Sequence, residues 1–464
     1  MNPRYEMPDN LYFGGGGETY YTPLALLILI CSILLIWILP RRYVIIPLLV
    51  AGLWIPVSVN FLLAGFHFNA LRILLLVSWI RLLTRGEAKL RYINSLDKIL
   101  LCWSLYSALI FCLLWGWAAV ANRLGFVYTT LGSYFLLRFL IRDKADILRV
   151  IETLAVALVL LTPFVLWEHL TGYNLLAILG AKGVSGARSG EIRAQGPFLH
   201  SIICGTLGAM LLPVFLALWW QGREARIIAV LGVFASVILT IVSFSSTPLV
   251  TFAAGLAGFL LWPARRHLRW FRWGLVTALV GLALVMEAPV WFLIAHLGAV
   301  TGGSGWHRAA LIDMFVRHFG DWWLYGTRNN ADWGYYMWDV DNAFVNNGVQ
   351  GGLLTFALFI GIFVFGFRMI GSAKKRAGNS TSDARLTWGI GCALFANTVA
   401  FFGIFYFDQS VLAWYGLLAT VSATEALSKM CSPKQVPRTK TLVNSCVLST
   451  VALDSKVPTS AFHI

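Results

Sequence analysis

Apolar segments and short polar connections alternate along almost the whole chain. The apolar segments lie at 23–40, 44–63, 68–83, 98–121, 124–141, 146–167, 199–220, 227–244, 248–262, 274–297, 345–370, 386–407 and 409–427. A segment inside a bilayer must pair its own backbone N–H and C=O groups, so each is predicted to be an α-helix. The pattern predicts an all-α fold, a polytopic integral membrane bundle of about 12–13 transmembrane helices.

Basic residues concentrate in every second connection and so predict the orientation. They lie at 41–42, 81–91, 142–149, 223–226, 265–272 and 374–385, and in the tail after Lys429. With thirteen spans all of these fall on one side, which the positive-inside rule assigns to the cytoplasm. The N-terminus is then extracytoplasmic and the C-terminus cytoplasmic.

Two long polar loops, at about 168–200 and 298–342, fall together on the opposite, extracytoplasmic side. A membrane protein that keeps two such loops on one face is expected to act on something at that face. The membrane domain is predicted to cover 1–426. The polar tail, 427–464, is predicted to be disordered.

Composition supports the membrane class. Only 12% of the 464 residues are charged and 58% are hydrophobic, with a mean hydropathy of +0.74; soluble domains carry about 25% charged residues. The net charge of +15 is explained by the basic connections. Because no nucleic-acid recognition module is visible, no nucleic-acid partner is expected.

The seven cysteines form no CxxC pair and none lies well inside a polar loop. The sequence therefore predicts neither a disulfide framework nor a thiolate metal site. Phosphate-binding GxxxxGK[ST] and zinc-binding HExxH motifs are also missing. No metal or nucleotide cofactor is expected.

The first polar loop carries Arg188, Glu191 and Arg193 and closes at His200. Arginine offers a planar fork of donors that matches phosphate oxygens. Arg188 and Arg193 are thus candidates for holding a diphosphate, or else they contact lipid headgroups or Glu191. His200 is a candidate base or only a helix-start residue.

The second loop contains an amphipathic stretch, Trp306 to Phe319, that predicts a helix on the membrane surface. This helix either covers a lipid-tail entrance or serves packing. Arg308 lies near its N-terminus, where free N–H groups attract anions. Further along, Asp341 and Asn342 precede the next span.

Asp341 is a candidate general base, because a carboxylate at a partly dry membrane mouth gains a raised pKa. The alternative is that it N-caps the following helix. The loop is also dense in aromatic residues, which form either an interfacial belt or a surface for sugar rings. They are Trp322, Trp323, Trp333, Tyr335, Tyr336 and Trp338.

Glu287 lies within a predicted span, just before Pro289, and Arg72 also lies at membrane depth. Ionisable groups in spans are functional candidates. Glycine and alanine clusters predict close helix packing; they are Gly205, Gly208 and Ala209, and Gly348, Gly351 and Gly352. The sequence around Ser245 to Pro248 predicts a tight hairpin or one broken helix.

The order of these features resembles the O-antigen ligase and polymerase superfamily of bacterial envelope enzymes. The resemblance covers roughly 160–370 by motif and the rest by span count. The motifs are Arg193, Gly196, Phe198 and His200 at the end of the first loop, then Gly305 to Arg308, a turn at Gly326, and Asp341, Asn342 and Phe344 entering a glycine-containing helix.

The resemblance implies a bacterial inner-membrane enzyme that uses an undecaprenyl-diphosphate-linked glycan without a metal or nucleotide. It implies that Arg193 and Arg308 bind the diphosphate and that Arg328 assists. Asn342 and Glu287 are predicted to support the site. The expected partners are this lipid-linked oligosaccharide, the lipid bilayer and other polysaccharide-assembly membrane proteins. Ligases of the superfamily commonly carry His at the position of Asp341.

This departure favours polymerisation of an exopolysaccharide or O-antigen repeat. A ligase that moves the glycan to lipid A-core or another acceptor is the first alternative. A transporter or lipid flippase, with Glu287 and Arg72 along its path, is the second. An enzyme requires its essential residues in the outer loops, whereas a transporter requires them at mid-membrane.

Overall fold

The computed structural model describes residues 19–63, 66–90, 92–188, 190–295, 305–376 and 381–430. Its helices are α1 Pro23–Ile38, α2 Ile45–Trp54, α3 Ala70–Thr84, α4 Ser95–Trp115, α5 Val120–Leu140, α6 Lys144–Thr171, α7 Ser201–Leu218, α8 Arg223–Val242, α9 Ser246–Leu260, α10 Leu268–Val285, α11 Gly305–Arg317, α12 Phe319–Trp322, α13 Ala343–Arg376, α14 Thr381–Ala400 and α15 Val411–Met430. The chain is an all-α polytopic membrane bundle, as predicted.

Short 3-10 helices and two hairpins complete the described elements. The 3-10 helices are Arg41–Tyr43, Trp117–Ala119, Leu175–Leu179, Pro263–Arg266, Val290–Phe292 and Asn330–Trp333. Strands β1 (Asn60–Leu63) and β2 (Phe66–Asn69) pair antiparallel, as do β3 (Ala187–Arg188) and β4 (Glu191–Ile192).

A helix lies at each predicted span, and seven of the described helices are long and apolar enough to cross a membrane. These seven are α4, α6, α7, α8, α10, α13 and α15. Two predicted boundaries are wrong. The segment 44–63 contains only the ten-residue α2, followed by the β1–β2 hairpin, and the segment 274–297 contains α10, which ends at Val285.

The bundle has one basic end. There Arg41 pairs with Asp146 at 3.0 Å and Lys144 pairs with Asp383 at 2.5 Å. Arg265, Lys374 and Arg385 converge on the Trp262 ring, at 4.1, 6.0 and 4.7 Å from its centroid. These contacts join connections far apart in sequence, so the basic connections share one end of the molecule, as the charge pattern predicts. Of the predicted tail, residues 427–430 continue α15 and 431–464 lie outside the described residues.

The two polar loops meet at the opposite end. Ala194 N–H donates to the Val242 carbonyl at the end of α8 (3.1 Å), and Ala343 N–H donates to the Phe401 carbonyl after α14 (2.8 Å). The residues 243–245 separate α8 from α9 at this same end, so two helices, and not one broken helix, surround Ser245.

Helix α7 lies at the centre of the bundle, and 89% of its span is buried. Glycine makes this packing possible, because a Cβ on Gly205 would lie 2.3 Å from the Ser243 hydroxyl and one on Gly208 would lie 3.1 Å from the Ser236 carbonyl. The predicted close packing of these glycines is confirmed. His200, at the start of α7, is therefore anchored by the most deeply buried helix.

Candidate functional site

A buried carboxylate organises the first polar loop. Glu168, near the end of α6, has no exposed surface and accepts hydrogen bonds from the Ser185 hydroxyl at 2.5 Å and the Gln195 N–H at 3.0 Å. Its other oxygen accepts the Gly196 N–H at 2.8 Å. Buried charge is tolerated only when it is well hydrogen-bonded. These three hydrogen bonds hold the loop segments on both sides of the β3–β4 hairpin, and Arg193 lies directly after β4.

The first polar loop also carries Arg193, and part of its guanidinium is buried. Its Nε and Nη2 are buried and make no hydrogen bond. Burial lowers the pKa of Arg193, and the positive charges of Arg188 and Arg308 lower it further. Arg188 itself is half-buried at the β3–β4 hairpin, opposite Glu191. The structure thus places these cationic side chains in one neighbourhood, as a diphosphate site requires.

His200 is the N-cap of α7. Its Nδ1 accepts a hydrogen bond from the Ile202 N–H at 3.1 Å. A neutral imidazole whose Nδ1 is an acceptor carries its proton on Nε2 and can only donate there. Burial, with the charges of Arg193 and Lys182, lowers the pKa of His200 to about 4. Its free nitrogen is therefore suited to donating a hydrogen bond and poorly suited to taking a proton.

The second loop begins with the predicted helix, which the structure gives as α11. Leu311 and Phe315 of this helix pack with Trp322 and Val349 in an apolar cluster of the loop itself. The Phe315 and Trp322 rings are stacked, with their centroids 3.8 Å apart. Packing within the loop is thus one role of this helix.

Arg308, in the first turn of α11, is buried and paired. Its Nε donates to Asp341 Oδ2 at 3.2 Å, and its Nη1 donates to the Ser246 hydroxyl at 3.0 Å. A Cβ on Gly403 would lie 3.0 Å from this Nε, so glycine makes room for the guanidinium. Arg308 therefore lies behind Asp341 and joins the second loop to the start of α9.

Asp341 is not the N-cap of the following helix. Asn342 Oδ1 accepts the N–H groups of Phe344 at 2.9 Å and Val345 at 3.2 Å, and so caps α13. The capping alternative for Asp341 is wrong, because its neighbour satisfies those donors. Asp341 Oδ1 is buried without a hydrogen-bond partner. Burial raises the pKa of Asp341, and the Arg308 charge only partly opposes this.

The glycines of α13 hold the second loop in place. Gly352 has φ +75° and interrupts the helix, and a Cβ there would lie 2.5 Å from the Leu324 carbonyl oxygen. Leu353 N–H donates to the Trp323 carbonyl and Thr327 N–H donates to the Val349 carbonyl, both at 2.8 Å. The break thus frees backbone groups that bind the loop.

The two loops and the residues that follow α14 enclose a cavity of about 950 Å³. Arg188, Arg193, His200 and Asp341 all line it, so the structure brings together four of the predicted site residues. The other lining residues are Ile202, Trp306, His307, Ala310, Met314, Trp333, Gly334, Tyr335, Tyr336, Met337, Asp339, Gly403, Ile404, Phe405 and Phe407. We call this the principal cavity.

The aromatic residues of the second loop divide into two groups. Trp333, Tyr335 and Tyr336 line the principal cavity, which is the position expected of a surface for sugar rings. Trp322 is buried against Phe315, and Trp323 is 45% exposed. Only part of the aromatic density is thus available to a ligand in the cavity.

Three residues that the sequence singled out lie elsewhere. Arg328 is exposed and lies over the Trp115 ring at the end of α4, 5.0 Å from its centroid. Glu287 is exposed beyond the end of α10, so its predicted mid-helix position is wrong. Arg72 donates to the His67 carbonyl at 2.7 Å, next to the β1–β2 hairpin. None of the three lines the principal cavity.

The segment after α14 was missed by sequence reasoning, which assigned it to spans. Asp408 accepts the Leu199 N–H at 3.2 Å, and Gln409 donates to the Pro197 carbonyl at 2.8 Å. This segment thus binds the first loop and lines the cavity through Phe405 and Phe407. Its only sequence signal is the polar run Asp408 to Ser410 between two apolar segments.

Within the described residues, no three His, Cys, Asp or Glu side chains are grouped so that they could hold a metal ion. No protein-family model matches this chain, and no curated protein matches it.

Proposed function

We propose that this protein is a membrane polysaccharide polymerase. It transfers a glycan from a polyprenyl-diphosphate-linked donor to a hydroxyl of an acceptor sugar, in exopolysaccharide or O-antigen synthesis at the outer face of the bacterial inner membrane. The observation that carries the proposal is a single cavity, formed by both polar loops. It is lined by Arg193, which has two buried nitrogen atoms without a partner, and by Asp341, which has a buried oxygen without one.

Arg193 is assigned to the diphosphate. Its buried Nε and Nη2 have no protein partner, and an unpaired buried charge is costly unless a ligand neutralises it. Arg188 lines the same cavity. Preorganised donors of this kind stabilise negative charge as it develops on a leaving group. Arg308 adds positive charge from behind the cavity wall.

Asp341 is assigned to the acceptor hydroxyl as general base. The hydroxyl oxygen forms a bond to the anomeric carbon of the donor while the bond from that carbon to the diphosphate oxygen breaks. The proton passes to Asp341 Oδ1, and the polyprenyl diphosphate leaves with the electron pair. His200 Nε2 is assigned a donated hydrogen bond to a phosphate or sugar oxygen, because its Nδ1 is already used.

The cavity size and its aromatic wall support a glycan substrate. A volume of about 950 Å³ is at the upper end of ligand cavities, about 300–1,000 Å³. Trp333, Tyr335 and Tyr336 provide flat apolar faces for sugar rings. The transporter alternative gains nothing from Glu287, which is exposed beyond α10.

The test is the length distribution of the surface polysaccharide in a deletion strain complemented with each variant at matched expression. Arg193→Gln and Asp341→Asn are expected to accumulate single repeat units, whereas Arg328→Gln and Glu287→Gln retain long polymer. Polymer of normal length that is no longer attached to its surface anchor would instead indicate a ligase. Full function of both cavity variants would exclude an enzyme site here.

A further inference from the structure

A second, smaller cavity adjoins the principal cavity. Its volume is about 90 Å³, about a tenth of the first, and Phe405 lines both. Residues of α4, α5, α13 and α15 enclose it, among them Trp103, Arg123, Gln350 and Trp414. We call it the Arg123 cavity.

Arg123 lies near the start of α5 and is only 9% exposed. Its Nη2 donates to Gln350 Oε1 at 3.1 Å, and its guanidinium carbon lies 3.3 Å from the centroid of the Phe111 ring. Its Nε is buried and has no hydrogen-bond partner. The side chain is thus held in place by a neutral amide and an aromatic ring.

Among the described residues, the other three arginines that are no more than 9% exposed each have a carboxylate partner, and Arg123 has none. The partners and distances are Arg81–Glu87 at 3.2 Å, Arg138–Asp97 at 3.7 Å and Arg308–Asp341 at 3.2 Å. A buried cation is costly unless an opposite charge pairs with it. The missing partner therefore indicates that an anionic ligand completes this site.

We propose that the Arg123 cavity is a second anion subsite, which takes the phosphate group of a second lipid-linked substrate, the acceptor glycan. This rests on the proposed function, because a polymerase must hold two lipid-linked glycans at once and Arg193 is assigned to the donor. The small volume admits one anionic group and no sugar ring. Phe405 lines both cavities, so the acceptor glycan is proposed to extend past this ring toward Asp341.

Bilayer phospholipid is a second source of the same phosphate chemistry. A purely structural role is the other alternative, in which Arg123 only fastens Gln350 and the first part of α13. Both alternatives predict a pattern of phosphate binding that differs from the one predicted by a substrate subsite. Phosphate binding must therefore be measured separately from glycan transfer.

The experiment is a calorimetric titration with inorganic pyrophosphate of the full protein in phosphatidylcholine nanodiscs. Wild type is expected to bind at two sites. Arg193→Gln is expected to lose one of these sites and Arg123→Gln the other, since loss of a charged donor weakens binding about tenfold or more. Arg328→Gln, an arginine at the same end but outside both cavities, is the control and retains both.

The proposal would be overturned if the wild-type protein bound pyrophosphate at a single site and only Arg193→Gln removed that site. If Arg123→Gln does not fold, Arg123→Lys keeps the charge, and the site is expected to persist with weaker affinity because lysine lacks the planar fork. A structural role predicts the same number of sites for Arg123→Lys, Arg123→Gln and wild type, which would also overturn the proposal.

The titration is repeated in nanodiscs that contain phosphatidylglycerol. Two sites are again expected, whereas loss of the Arg123-dependent site there identifies a phospholipid headgroup as its occupant and overturns the acceptor assignment. Glycan transfer is measured in parallel. One pyrophosphate site with intact transfer defeats this inference alone, and two sites without any transfer defeat the proposed function alone.

Discussion

Arg308 Nε donates to Asp341 Oδ2 across 3.2 Å, which joins the start of the second polar loop to its end. The contact leaves Asp341 Oδ1 buried and without a partner. The arginine orients the carboxylate by occupying one oxygen and leaves the other for a ligand. This ion pair is therefore the structural basis for assigning Asp341 a chemical role.

Asp341→Asn is expected to abolish most transfer without unfolding the protein. The amide keeps the shape of the side chain but cannot take a proton, and general-base catalysis is worth about 10²–10⁴-fold in rate. Transfer of a lipid-linked oligosaccharide by purified protein measures the effect. Asp339→Asn is the control, because this carboxylate lines the same cavity and is exposed. Equal losses in both variants would contradict the assignment.

The pH dependence of transfer is expected to follow Asp341 and not His200. The base form of Asp341 is the active one, so activity falls as the pH drops through its pKa, which burial raises above the ordinary value of about 3.9. His200, with a pKa of about 4, is neutral at pH values above that pKa. His200→Gln should reduce the rate and leave the acidic midpoint unchanged. A midpoint near 6.5 that vanishes in His200→Gln would identify histidine as the base.

The helix positions were predictable, because long apolar runs leave the backbone no alternative in a bilayer. One exception is the segment 44–63, where Phe61, Leu62 and Leu63 form part of strand β1. Hydropathy counts these residues as apolar whether they lie in a helix or in a hairpin. The pairing partner that decides between the two, Phe66–Asn69, follows the predicted segment.

Four of the predicted site residues, Arg188, Arg193, His200 and Asp341, line the principal cavity, but their individual roles could not be predicted. Arginines and a carboxylate in polar loops are visible in sequence, but Asp341 and Asn342 are both capable helix caps, and only the fold shows which one caps. The importance of Glu168 depends on three hydrogen bonds from a loop that folds back on it. No local pattern reveals such long-range partners.

Arg193→Lys is expected to impair transfer nearly as much as Arg193→Gln. Both available donors, Nε and Nη2, belong to a fork that lysine cannot reproduce. Loss of charge-assisted hydrogen bonds costs about 1.5–3 kcal/mol each, so kcat/KM for the lipid-linked donor should fall about tenfold or more. Arg328→Lys should have no effect. A fully active Arg193→Lys enzyme would show that only charge is needed there.

Gly352→Ala is expected to lower both thermal stability and activity. Its φ of +75° strains any side chain, and the added Cβ would lie 2.5 Å from the Leu324 carbonyl oxygen. The loop from Trp323 to Thr327 must then shift, and the cavity wall shifts with it. Gly371→Ala, in the same helix with no atom within 4 Å of the new Cβ, is the control and should be neutral. Melting curves in detergent and transfer rates are measured for both variants.

The orientation is tested with single cysteines in a cysteine-free background. We expect the basic end to face the cytoplasm, because positively charged connections are retained on that side. Asp332→Cys in the second loop and Arg266→Cys after α9 both lie at exposed positions. A membrane-impermeant maleimide added to intact cells should label Asp332→Cys alone, and Arg266→Cys should react only after the membrane is broken. The reverse result would place the principal cavity in the cytoplasm, where an extracytoplasmic lipid-linked glycan cannot reach it.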